Sequence, residues 1–133
     1  MSKNLDLVRS IYVFVERGEL SVARWADPQI EWVEPDGPEP GTYVGIAEME
    51  SGLSKAVDPW ADYRVTVDEY RELDEERVLV LIHRAGHGKA SGFELDQIWT
   101  EGATLYEIRD GKVIRMLNYW DRRRAFADLG LEE

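Results

Sequence analysis

The sequence predicts an α+β domain built on an antiparallel sheet, on three observations. Helical and strand-like stretches do not alternate along the chain: they run helix, helix, strand, helix, four strands, helix. From Trp60 to Leu73, Tyr63, Val65, Val67 and Glu69 fall on one side, with Arg64, Thr66, Asp68 and Tyr70 on the other, the period-two pattern of a half-buried strand. Asp110-Gly111 stands between two apolar runs, Ala103 to Ile108 and Val113 to Trp120, the strongest short-range signal for a hairpin.

In chain order, Leu5, Val8, Ile11, Tyr12 and Val15 recur at three- and four-residue spacing, which makes Asn4 to Arg17 a helix with one apolar face, ended by Gly18. A second short helix is expected from Glu19 to Trp25, because proline disfavours helical backbone at the residue before it and Asp27-Pro28 follows. Ile30 to Glu34 alternates like a strand. Pro35 to Gly41 holds three of the five prolines and reads as a loop, long enough to form a rim or lid. Gly45 introduces a helix over Ile46 to Val57 with Met49, Leu53 and Val57 on one face, closed by Asp58-Pro59. Beyond a polar turn from Leu73 to Arg77, the run Val78 to His83 is apolar on both faces and belongs inside the sheet. Ala85 to Gly92 reads as a glycine-rich turn into a strand from Phe93 to Trp99, and Thr100-Glu101-Gly102 is expected to bulge or bend that strand before Ala103. Past Asp121, the residues Ala125, Phe126 and Leu129 keep helical spacing until Gly130 stops it.

Composition narrows the function classes. A chain of 133 residues is one domain with room for a core. A net charge of -11 speaks against nucleic acid and anionic membranes as partners, and the one basic cluster, Arg122-Arg123-Arg124, is too short to reverse it. With no cysteine there is no disulfide or thiolate chemistry. No apolar run approaches the roughly 20 residues that span a bilayer, and the first residues lack the regions of a signal peptide, so a cytoplasmic location is expected. His83 and His87 come without cysteine or a carboxylate at ligand spacing, so no metal is expected.

The run Asp110-Gly111-Lys112-Val113-Ile114-Arg115, ending in Asn118-Tyr119-Trp120-Asp121, resembles the nuclear transport factor 2-like superfamily, and within it the SnoaL-like polyketide-cyclase group. Pro28 to Trp32 is similar to that group's first strand, Val44-Gly45-Ile46 to the start of its helix, Gly86 to Gly92 to the hairpin of one large subgroup, and Ala125 to Leu131 to its tail. The resemblance implies a strongly curved sheet wrapped as a cone around the N-terminal helix, a pocket inside, and a homodimer built on the outer sheet face. Function stays open, because the fold hosts isomerases, cyclases, dehydratases and epoxide hydrolases beside members without known activity.

Candidate site residues follow from both readings. Asp121 matches the strand-to-helix aspartate that cyclases of the group use as acid or base; burial would raise its pKa toward neutrality, and its other reading is the cap of the last helix. Asn118 falls where epoxide-hydrolase relatives carry a catalytic aspartate, but an amide can orient an oxygen and cannot take a proton. Ile82 and Arg84 stand near that group's Arg and Asp and match neither. His83 could be a general base or a structural histidine. Five tryptophans and six tyrosines invite an aromatic pocket, with Tyr12, Trp32, Trp60, Tyr63, Trp99 and Tyr119 as candidate ligand contacts; core or dimer packing is their other reading. The function expected is binding of a small, largely apolar organic molecule, with cofactor-free isomerisation, cyclisation or dehydration as the activity, or a non-catalytic binding or assembly module as the alternative.

Overall fold

A computed structural model describes residues 3–17, 22–36, 40–57, 60–88 and 97–131; the side chains at 56–62 and 87–99 lie outside that description. The first helix, α1 (Lys3–Glu16), buries Val8, Ile11 and Tyr12. Val15, expected on the same face, is 37% exposed, and Phe14, three residues beyond Ile11, packs on the core in its place. Of the second helix expected over Glu19 to Trp25, residues 18–21 lie outside the described residues, and Val22 to Trp25 forms a single turn in which the Trp25 and Ala26 N–H groups donate to the Val22 carbonyl at 3.1 and 2.9 Å.

Strand β1 (Ala26–Glu34) starts directly after that turn. It accommodates Pro28 because its pairing is interrupted between Ala26 and Glu31, where the missing N–H breaks no ladder bond. Strand β2 (Gly41–Val44) was not expected; four residues are too few for periodicity to register, and it is recognisable only by pairing with β1. Gly45, at φ 92°, turns the chain into α2 (Ile46–Val57). Then come β3 (Trp60–Glu72), β4 (Arg77–Gly88), β5 (Gln97–Arg109), β6 (Lys112–Tyr119) and α3 (Arg122–Leu129). Ala85 to Gly88, read as a turn, continues β4; the rest of that turn and the strand start at Phe93 lie outside the described residues. The expected bend at Thr100 to Gly102 does not occur, since these residues pair in unbroken register with Arg84, His83 and Ile82. The Asp110-Gly111 hairpin is as expected, both residues having positive φ (52° and 75°) between the paired Arg109 and Lys112.

The described strands form one mixed sheet in the order β2-β1-β6-β5-β4-β3, with β1 and β6 parallel and the other neighbours antiparallel. On its inner face, α1 and Met49 of α2 share a core with Ile30, Trp32, Val78, Val80, Ile82, Tyr106, Ile108 and Val113, and Val65, Val67 and Tyr70 of β3 close against it. The sheet thus wraps α1. On the outer face Leu79, Leu81, Ala103, Leu105 and Tyr119 pack with Ala125 and Phe126 of α3. Covering both faces of β4 explains its unbroken apolar run. Two register shifts interrupt the pairing of β3 with β4, at Ala61/Arg64 and Val67/Glu69. No helix among the described residues is long and apolar enough to cross a membrane.

Candidate functional site

Alternation along β4 sends Val80, Ile82 and Arg84 inward and His83 outward. An arginine at the end of an apolar strand is therefore carried into the interior, where Arg84 is 1% exposed. Its guanidinium donates to the Tyr119 carbonyl at 3.0 Å and to Asn118 Oδ1. Gly102 makes that reach possible: a Cβ there would lie 2.6 Å from the Tyr119 carbonyl oxygen and collide with the guanidinium itself. The glycine on β5 marks a close approach and not a bend.

Asn118 sits on the same face of β6 and is fixed by three groups. Its Oδ1 accepts from Arg84 and, at 3.0 Å, from the Thr104 hydroxyl, while its Nδ2 donates to Glu34 Oε1 at 2.9 Å. Two donors on one side and a carboxylate on the other leave the amide one orientation. Glu34, 6% exposed, has its pKa raised by burial, against the opposing pull of Asn118, the Arg84 charge and Trp120. Behind Asn118, Thr104 meets Tyr12, and Tyr106 donates to the Tyr12 hydroxyl at 2.9 Å. Burial pushes Tyr12 up to about 12 and Tyr106 well above the ordinary phenol value, so both stay protonated.

Aromatic groups surround this relay. Burial holds the Tyr63 phenol above its ordinary pKa, against the opposing pull of the neighbouring Arg84. The Trp120 ring faces the Arg84 guanidinium, with 4.7 Å from Cζ to the ring centroid. Trp32, 1% exposed, stacks at 5.1 Å on Tyr43, and a Cβ on Gly52 of α2 would come within 2.6 Å of its ring. The buried polar atoms Trp32 Nε1, Trp120 Nε1 and Thr100 Oγ1 have no well-formed hydrogen-bond partner among the described residues, although Trp120 stands near enough to Glu34 to lower its pKa. Unpaired buried donors are uncommon, and each requires an explanation.

Of the residues singled out from sequence, Asn118, Tyr12, Trp32 and Tyr63 belong to this inner face. Asp121 and His83 do not join them. Asp121 is exposed and caps α3, its carboxylate accepting from the Arg123 N–H at 3.0 Å. His83 lies outward, turning Nδ1 to Asp68 and Nε2 toward Glu101 at 3.6 Å, so its two nitrogens face different carboxylates. Arg122 of α3 completes that outer cluster, binding Asp68 and the Ile82 carbonyl at 2.8 Å and the Gly102 carbonyl at 3.1 Å. Tyr119 also faces outward, donating to Asp128 at 3.1 Å; burial and that carboxylate raise its pKa to about 12. The side chains of Trp60 and Trp99 lie outside the described residues. Sequence reading passed over Glu34 and set Arg84 aside as matching neither the Arg nor the Asp of the epoxide-hydrolase relatives. Their signal is parity: both keep step with the inward apolar residues of their strands, Ile30 and Trp32 in one case and Val80 and Ile82 in the other.

A family model described as a SnoaL-like domain matches residues 8–116. Among solved structures, an NTF2-like protein of unknown function from Burkholderia pseudomallei superposes with a TM-score of 0.78 at 23% identity, covering 96% of this chain and 97% of that one. TerC, co-crystallised with polyporic acid, gives 0.76 at 24% identity over 96% and 98% of the two chains. A Catenulispora acidiphila protein with a ketosteroid isomerase-like fold, in complex with trimethylamine, gives 0.64 at 16% identity over 82% and 79%. No curated protein matches by sequence.

Proposed function

The chain belongs to the SnoaL-like domain family, and from that premise we propose that it binds a small, largely apolar organic molecule in a pocket on the inner face of the sheet. The observation that carries this reading is the buried relay Arg84–Asn118–Glu34, set among Tyr63, Trp32 and Trp120, whose indole donors have no well-formed partner among the described residues. Apolar walls with a few convergent polar groups are the usual composition of a ligand site. Relatives crystallised with polyporic acid and with trimethylamine support small-molecule binding.

As an enzyme, it would perform cofactor-free acid–base chemistry of the isomerase, cyclase or dehydratase kind. Glu34 takes the proton-moving role that sequence reading gave to Asp121 or His83, because among the described residues it is the buried carboxyl bonded to Asn118. Its carboxylate removes a proton from carbon next to a ligand carbonyl, the electron pair moves onto the carbonyl oxygen, and Arg84 stabilises that oxygen until the proton is returned. A buried carboxyl with a raised pKa suits the exchange. The family resemblance further supports a homodimer on the outer sheet face, which sedimentation equilibrium tests.

Small aromatic ketones are expected to quench the tryptophan emission saturably, with the quench lost in Trp32→Phe/Trp120→Phe. An unsaturable response would remove the binding reading. Deuterium exchange at the ketone α-carbon separates the enzyme from a non-catalytic binding module: wild type should accelerate it and Glu34→Gln should not. A protein-docking role has less support, since the large apolar side chains exposed among the described residues, Val13, Val15 and Val44, are valines divided between α1 and β2.

A further inference from the structure

Resting on that binding reading, we infer that the pocket selects an organic monoanion, a flat apolar body carrying a carboxylate or a comparably delocalised oxyanion, and that Arg84 is the group that receives it. Buried charges in proteins are almost always paired. Arg84 is buried and has no carboxylate within ion-pair distance among the described residues: its known partners are a main-chain carbonyl, an amide oxygen, a phenol and an indole face. The buried carboxylate Glu34 is linked to Arg84 through the Asn118 amide, which bonds both. A guanidinium offers five N–H donors, and these partners do not exhaust them.

The neighbours of Arg84 have the same bias. Thr100 is its cross-strand partner and contributes a buried hydroxyl without a partner among the described residues, and Trp120 stacks on it with its indole N–H directed toward Glu34 without a well-formed bond. Trp32 adds a third such donor one inward position before Glu34 on β1. A buried cation without a carboxylate partner among the described residues, beside an unpaired hydroxyl and an indole donor that is not well satisfied, calls for acceptor atoms with negative charge. The desolvation of Arg84 is already met on folding, so an incoming oxyanion gains an interaction stronger than in water. The preference is local in origin, because the net charge of -11 repels anions at long range.

The test compares matched probes on the full-length protein: naphthoate against naphthamide, and benzoate against benzamide, followed by titration calorimetry and by the indole N–H signals in heteronuclear NMR spectra. The carboxylates are expected to bind at least tenfold more tightly than the amides and to shift the Trp120 and Trp32 indole signals. Arg84→Lys should keep part of that preference and Arg84→Gln should abolish it. Equal binding of acid and amide with shifted indoles would overturn the anion inference and leave the pocket reading standing. Failure of every probe to move the indoles would overturn both. Because the acid-to-amide ratio is read on wild type, the outcome does not depend on whether Arg84→Gln folds.

Discussion

Gly102 is the position at which the site is most easily broken. Arg84 crosses it on the inner side and Arg122 bonds its carbonyl from the outer side, so the backbone there lies between two guanidinium groups. Gly102→Ala should cost about 1–3 kcal/mol in urea unfolding, the usual range for overpacking, and should disturb Trp120 emission by displacing Arg84. Glu34 gives a pH prediction of definite sign. Its folded-state pKa is raised, so the unfolded chain ionises first, and its contribution to stability is present at low pH and lost as pH rises through the carboxylate range toward the folded value. Glu34→Gln should therefore raise the urea midpoint at pH 7 and leave it nearly unchanged at pH 4, whereas a gain larger at pH 4 would contradict the assignment. At this scale the sequence was only half legible. Asn118 was found because its place matched a catalytic position of relatives, while Arg84 was set aside for matching no such motif and Glu34 was only the end of an alternating strand; what distinguishes them is the direction their strand turns them and, for Arg84, a glycine on the next strand.

Among the elements, the hairpin at Asp110-Gly111 and the terminal helix were readable because local chemistry dictates them: two positive φ angles in one case, an Asp cap and a left-handed Gly130 in the other. Strand β2 and the true extent of β4 and β5 were not, since a strand's limits are set by neighbours that only the tertiary fold supplies. The same contrast governs mutations. Asp121→Ala should destabilise by about 1 kcal/mol, the typical value of a cap, measurable as a lowered urea midpoint with ligand affinity unaltered. Gly52→Ala opposes two effects. A helix-interior alanine gains about 0.5–1 kcal/mol over glycine, but its Cβ would meet the Trp32 ring at 2.6 Å, and Trp32 is a buried ring packed against Tyr43. A net loss of roughly 1 kcal/mol is expected, together with changed tryptophan emission.

For the molecule as a whole, the two faces of the sheet hold separate chemistry. The inner face carries the relay; the outer face carries the cluster of Asp68, His83, Glu101 and Arg122 that ties α3 to β3, β4 and β5. The double substitution Asp121→Asn/His83→Gln is thus expected to change ligand affinity less than twofold, and a tenfold loss by calorimetry would return those residues to the site. Burial works to raise the Asp68 pKa, but Arg122 and His83 outweigh it and hold the carboxyl below the usual range, so what Asp68 adds to stability is lost as pH falls. Among the described residues the sheet ends in two margins without a further strand, the four-residue β2 and the thirteen-residue β3. A long bare strand is a template on which other chains can polymerise. Here its ladder is broken twice and its rim carries Arg64, Asp68, Glu69 and Glu72, so a sheet that does not close on itself among the described residues is still guarded against growing into fibrils.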